Sequence, residues 1–168
     1  MFSGKTEELI NRVKKSNKSY KVFKPDIDTR NEKDKIKSHS KIEIDATTID
    51  DINEILNYKD KFDVIGIDEA QFFSNDIVSV SNSLANNGVR VIIAGLDMDF
   101  TGKPFGPMPF LMAIAEDVTK VHAECVETGD PALYSFRKVD NDETVMIGEK
   151  KEYQPLSRKA FISKSKKS

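Results

Sequence analysis

The chain has 168 residues, enough for one domain with a sizeable core and a small appendage but too few for two full domains. Its 26 basic and 28 acidic residues leave a formal net charge of -2, so no global field draws it to nucleic acid or an anionic membrane, and no apolar run approaches the roughly 20 residues that span a bilayer. A single cysteine, Cys125, excludes an intramolecular disulfide, and the N-terminus shows no signal-peptide pattern; both predict a soluble, cytoplasmic protein.

Met1-Phe2-Ser3-Gly4-Lys5-Thr6 precedes a helical pattern from Glu7 to Ser16 with Leu9, Ile10 and Val13 on one side. It reads as the back half of a phosphate-binding loop, G-x-x-x-x-G-K-[ST], whose first glycine falls upstream of Met1. Amides at a helix N-terminus and the Lys5 ammonium suit phosphate oxygens, and the Thr6 hydroxyl suits magnesium; the alternative is that Lys5 is an ordinary first-turn charge. Tyr20 to Pro25 reads as a strand stopped by proline, with Asp28-Thr29-Arg30 at its carboxyl end. Asn31 to Lys41 is polar and reads as a surface loop, Lys41 to Ile44 as a short strand. Thr47 and Thr48 then offer N-caps to a helix carrying Ile49, Ile52, Ile55 and Leu56.

Phe62 to Phe73 holds the densest chemistry. Val64, Ile65 and Ile67 form an uninterrupted β-branched run of the kind buried on both faces of a parallel sheet, and it delivers Asp68 and Glu69 at the strand's carboxyl end, where α/β sheets bind ligands. Asp68 there either holds magnesium against phosphates or caps the next helix. Asp76 to Asn87 reads as an amphipathic helix ended at Gly88, and Val89 to Leu96 as a second fully buried strand that delivers Asp97. Phe100 and Phe105, in the loop from Phe100 to Pro109, are either hydrophobic plugs or a lid over a flat ligand, and Phe110 to Ala115 reads as helical. From Val118 onward, Val121 to Cys125, Ala132 to Val139 and Glu143 to Ile147 read as short antiparallel strands of a small second lobe. The closing lysines Lys159, Lys164, Lys166 and Lys167 read as a solvated tail. Alternating strands and helices predict an α/β fold with a parallel sheet.

In combination these residues resemble a family, the thymidine kinases that pair a RecA-like phosphate-loop domain with a zinc-bearing lasso domain. The resemblance is carried by Met1 to Leu9, Lys24-Pro25 with Asp28-Thr29-Arg30, Asp68 to Phe73, Gly95-Leu96-Asp97 followed by Phe100 and Lys103-Pro104-Phe105-Gly106, Tyr134 with Arg137, and Tyr153 with Pro155-Leu156. It implies a phosphate-loop domain over 1-117, a lasso domain over 118-162 and a disordered tail over 163-168. It also implies an ATP- and magnesium-dependent kinase acting on thymidine or deoxyuridine in deoxynucleotide salvage, in the cytoplasm and as a homotetramer. Ser3, Gly4, Lys5, Thr6, Asp68, Glu69, Ala70 and Gln71 would serve ATP and magnesium, and Glu69 would take the proton of the acceptor hydroxyl. Phe100, the lasso residues Thr144, Val145, Met146, Ile147 and Gly148, and Tyr153 would surround the nucleoside, and Arg30 would steady phosphate charge. The other readings are a non-catalytic nucleotide-binding relic and a phosphate-loop ATPase.

The chain departs from the family in two respects. At the family's zinc-ligand positions stand Cys125, Thr128, Ser157 and Ala160, so no structural zinc is expected and apolar contacts must hold the lasso instead. The first strand and leading glycine of the phosphate loop are also missing from the sequence, which predicts that Met1 is internal to the motif and that the true start lies upstream.

Overall fold

Leu9, Ile10 and Val13 recur at helical spacing, and in the computed structural model they form the buried stripe of helix α1 (Lys5–Lys15). The structure describes residues 2–26, 35–37, 42–138 and 152–166. These fall into two units, a larger one of residues 5–97 and 105–118 and a smaller one of residues 1–4, 98–104 and 119–168. The division differs from a boundary at 117, because residues 98–104 group with the C-terminal segment.

In the larger unit α1 is followed by β1 (Tyr20–Pro25), β2 (Lys35–Lys37), β3 (Glu43–Asp45), β4 (Thr47–Ile49) and β5 (Val64–Ile67). Helix α2 (Asp76–Asn86), β6 (Arg90–Ile93) and helix α3 (Met108–Ile114) complete it. Strands β4, β1, β5 and β6 lie side by side in that order and run parallel, the α/β architecture that the alternation predicts. Side chains alternate across this sheet. Val22 and Val64 join Leu9, Ile10 and Val13 of α1 on one face. Phe23, Ile65 and Ile67 pack on the other with Ile77, Val80 and Leu84 of α2 and with Ile52 and Ile55. Each fully buried Ile or Leu contributes about 1.5–3 kcal/mol, so β5, buried along its whole length, is strongly held in register. That register sets the position of whatever follows Ile67.

Three expectations change. Thr47 and Thr48 do not cap a helix; they lie in β4, in register with Phe23 and Lys24 of β1. Asp51 takes the cap, its carboxylate accepting from Asn53 N–H at 2.9 Å at the start of a 3-10 helix, Ile52–Tyr58. Within the polar stretch 31–41, residues 35–37 form β2, paired antiparallel with β3 so that Ile36 faces Ile44 and both are buried; β3 runs Glu43–Asp45, and Lys41 lies outside the described residues. Among the described residues strand β6 is shorter than Val89 to Leu96, stands last in the sheet order and is only half-buried. Helix α2 matches expectation, with Gly88 at φ +83 and Val89 N–H closing on Leu84 O at 3.1 Å.

The smaller unit contains β7 (Ala123–Glu124) paired with β8 (Pro131–Ala132), β9 (Tyr134–Arg137) paired antiparallel with β10 (Tyr153–Leu156), and helix α4 (Arg158–Ser165). Among the described residues β9 pairs with β10; Glu143 to Ile147 lie outside them. Residues 163–165, expected in a tail, continue α4, and Lys164 pairs with Glu127 at 2.6 Å. Among the described residues no helix is long and apolar enough to cross a membrane.

Candidate active site

The register of β1, β5 and β6 brings Asp68 to the carboxyl end of β5, its N–H donating to Phe23 O at 2.9 Å. Asp68 is 4% exposed. Its Oδ2 accepts the Thr6 hydroxyl at 3.0 Å, and its Oδ1 accepts Glu69 N–H at 3.0 Å. Burial, and then the negative charge of Glu69, push the Asp68 carboxyl up to about 7, against the partial relief of the Glu69 N–H, the Thr6 hydroxyl and the Lys5 ammonium. Lys5, Thr6 and the acid after β5 are therefore one constellation at the N-terminus of α1. The cap reading of Asp68 fails, since its carboxylate serves Thr6 and Glu69 rather than opening a helix.

Glu69 is held at φ 51 and ψ 41, a left-handed conformation that a glutamate adopts at a cost of about 1 kcal/mol or more. Gln71 Nε2 donates to Glu69 Oε2 at 2.5 Å. Ala70 is fully buried and its N–H donates to Ala94 O at 3.0 Å, and Gln71 is buried too, its Oε1 accepting Leu96 N–H at 3.0 Å. These two were expected to serve ATP and magnesium; both side chains are buried. Lys24, part of the same resemblance, is likewise buried, its ammonium donating to Lys35 O at 3.0 Å. Ser3 and Gly4 stand immediately before α1, with Gly4 at φ +79. Phe105 packs edge-on against Phe72 with ring centroids 5.7 Å apart, which makes it a plug.

A second group lies in the smaller unit. The Arg137 guanidinium sits 3.6 Å from the Phe100 ring centroid, and its Nε and Nη2 donate to the Tyr153 hydroxyl at 3.2 and 2.9 Å. Phe100 is thus clamped by a cation over its face, an arrangement worth about 0.5–2 kcal/mol, and Tyr153 is tied to the same cation. Arg137 carries the resemblance with Tyr134 but had no expected role of its own. Its signal was present in Tyr134-Ser135-Phe136-Arg137, where an arginine at an inward position of a strand demands partners. Thr144, Val145, Met146, Ile147 and Gly148 lie outside the described residues, as does Arg30.

The four positions that correspond to a zinc site are all described. Burial pushes the Cys125 thiol up, but hydrogen bonds from the Thr128 hydroxyl, from Ser157 and Glu127 N–H and from the Ser157 hydroxyl outweigh it and bring the thiol down to about 6. The Thr128 and Ser157 hydroxyl oxygens lie within hydrogen-bond distance of each other at 3.3 Å, and Ser157 caps α4. Cys125, Ala132, Leu156 and Ala160 form an apolar cluster with Ala123, Phe136 and Phe161 packed on it. One thiol, two hydroxyls and a methyl are not a tetrahedral zinc donor set, so the residues present do not fit that metal.

A family model described as thymidine kinase matches residues 1–161. The chain is 53% identical to the thymidine kinase of Bacteroides thetaiotaomicron over 165 residues, covering 96% of this chain and 83% of that protein. It is 52% identical to the thymidine kinase of Porphyromonas gingivalis, over 96% of this chain and 80% of that one, and 48% identical to that of Bdellovibrio bacteriovorus, over 96% and 81%.

Proposed function

Because this chain belongs to the thymidine kinase family, we propose that it transfers the γ-phosphate of ATP to the 5′-hydroxyl of thymidine or deoxyuridine. The observation that carries the reading is the Thr6–Asp68–Glu69 constellation, a hydroxyl and a buried carboxylate directly beside a second carboxylate held in a strained turn. Lys5 and the first amides of α1 bind the donor phosphates, a helix N-terminus being suited to anions. The Thr6 hydroxyl and Asp68 carboxylate are an all-oxygen set that fits magnesium, an ion commonly held by one or two carboxylates together with substrate phosphates. Magnesium, when bound, neutralises the charge of the β- and γ-phosphates.

Glu69 acts as general base. Its carboxylate accepts the 5′-hydroxyl proton as that oxygen bonds to the γ-phosphorus; the bond from phosphorus to the β,γ-bridging oxygen breaks, and ADP leaves. Phe100, steadied by Arg137, and Tyr153 form the wall against which the thymine base rests, and Thr144 to Gly148 read the base through main-chain groups. The enzyme works in deoxynucleotide salvage in the cytoplasm as a homotetramer, without nucleic acid or membrane partners.

The test is ADP formation by purified protein with and without thymidine, with product analysis by mass spectrometry. Thymidine-dependent ADP and thymidine 5′-phosphate in equal amounts are expected. Equal ADP release without thymidine would mean a phosphate-loop ATPase, and nucleotide binding without turnover a relic.

The lasso holds no structural zinc in this reading, its place taken by the hydrogen bonds around Cys125 and the apolar cluster beneath them. Elemental analysis of purified protein should return far less than one zinc per chain, and a chelator should leave Tm unchanged. Stoichiometric zinc, or a chelator-induced loss of Tm of the kind expected when a site contributing on the order of 10 kcal/mol is emptied, would overturn it.

A further inference from the structure

Gln71 is 3% exposed and lies in a single 3-10 turn, Ala70–Phe72, directly after Glu69. Both ends of its carboxamide are committed. Oε1 accepts Leu96 N–H at 3.0 Å, and Nε2 donates to Glu69 Oε2 at 2.5 Å. A backbone N–H can only donate, so Leu96 dictates which end of the amide is oxygen and turns the NH2 end toward the carboxylate. The direction of the chain Leu96, Gln71, Glu69 is therefore fixed by main-chain chemistry.

The surrounding chain is shaped to this group. At Gly106, φ +50, a Cβ would stand 2.5 Å from the Gln71 carbonyl oxygen, and at Gly95 a Cβ would stand 3.0 Å from Gln71 Oε1 and 2.6 Å from Met108 Sδ. The Gly106 segment thus closes on the Gln71 main chain at a left-handed position where a side chain would strike backbone, and the Gly95 segment lies close against its amide. Glu69, by contrast, is a half-buried side chain with several rotatable bonds, and a rigid donor on Oε2 removes that freedom.

We infer that Gln71 is a positioning residue for phosphoryl transfer: it holds the Glu69 carboxylate in the orientation from which it takes the acceptor proton, and it does not bind the nucleotide. The inference rests on Glu69 being the base, as proposed above. A misplacement of about 1 Å at a reacting group costs about 10²-fold in rate, which sets the expected effect.

The experiment compares Gln71→Met, Gln71→Glu, Glu69→Gln and the double variant Glu69→Gln with Gln71→Met, measuring kcat, KM for ATP and thymidine, and Tm. Gln71→Met removes both hydrogen bonds; Gln71→Glu keeps an acceptor for Leu96 N–H and loses the donor to Glu69, so it serves even if the first fails to fold. Each single Gln71 variant should lose about 10²-fold in kcat with both KM values within about threefold of wild type. The double variant should turn over within about threefold of Glu69→Gln alone, because a carboxylate that is absent cannot be misplaced. A purely structural role would make the losses multiply, and a nucleotide-binding role would raise KM for ATP with kcat kept; either result overturns the inference, as does unchanged kcat in the Gln71 variants. If Glu69→Gln itself turns over like wild type, the base assignment fails; if it is inactive while the Gln71 variants are active, only the positioning role fails.

Discussion

Glu69→Gln is expected to lower kcat by about 10³-fold while leaving the affinity for a non-hydrolysable ATP analogue within about threefold. The substitution keeps the shape of the side chain and an oxygen for Gln71 Nε2 to donate to, so the left-handed turn and its contacts survive. Proton acceptance is what disappears. The size follows from general-base contributions of about 10² to 10⁴, taken near the middle because binding and phosphate neutralisation by Lys5, Thr6 and Asp68 persist. Steady-state kinetics with calorimetric titration of the analogue measures both quantities, and turnover within about tenfold of wild type would remove Glu69 from the role of base.

Asp68→Asn is expected to impair activity and raise the stability of the metal-free protein at the same time. The Asp68 carboxyl titrates at about 7 in the folded protein, against an ordinary 3.8, because burial and then the charge of Glu69 oppose its ionisation. Between these values the folded chain holds a proton that the unfolded chain has released, so the associated stability is fully present below about pH 4 and is lost as pH rises through about 7. Asparagine carries no such charge and keeps an oxygen for Glu69 N–H. The stability gap in favour of the variant should therefore widen with pH across that window, by on the order of a few kcal/mol. Adding magnesium should raise Tm of the wild type and not of the variant, while kcat/KM for ATP falls by about 10²-fold or more in the variant. Urea unfolding at pH 4, 6 and 8 in chelator reads the first effect. A gap that does not change with pH would show that the Asp68 charge is not under this strain.

The proposed kinase site lies at the carboxyl end of β5, where strand order and chemistry converge. An α/β sheet covered on both faces leaves its strand ends as the open place for a ligand, and the half-positive N-terminus of α1 stands beside Asp68. The same packing that makes β5 rigid makes Asp68 costly to ionise, so the group best placed for a cation is one that gains from receiving it.

Much of this was legible in the sequence. Val64, Ile65 and Ile67 announced a doubly buried strand because β-branched continuity is a local property, and Asp68 and Glu69 followed from adjacency alone. Leu9, Ile10 and Val13, and Ile77, Val80 and Leu84, declared their helices through spacing within a few turns. The division of Asp68 and Glu69 into metal partner and base is what the resemblance implies, and it enters the proposed function as such. What misled were residues whose local chemistry has two outlets: Thr47 and Thr48 favour both caps and strands, and only pairing with Phe23 and Lys24 decided between them. Ile36 stood alone in a polar stretch, and its burial depended on Ile44 across a hairpin. The commitment of Gln71 to Leu96 and Glu69, and the Arg137 guanidinium over Phe100, are contacts between segments far apart in the chain. Sequence by itself determined which residues carry charge and which form each local element, since propensity and period act over a few residues; the tertiary structure alone decided which of them face one another, since hydrogen bonds and burial are satisfied wherever the packed chain brings their partners.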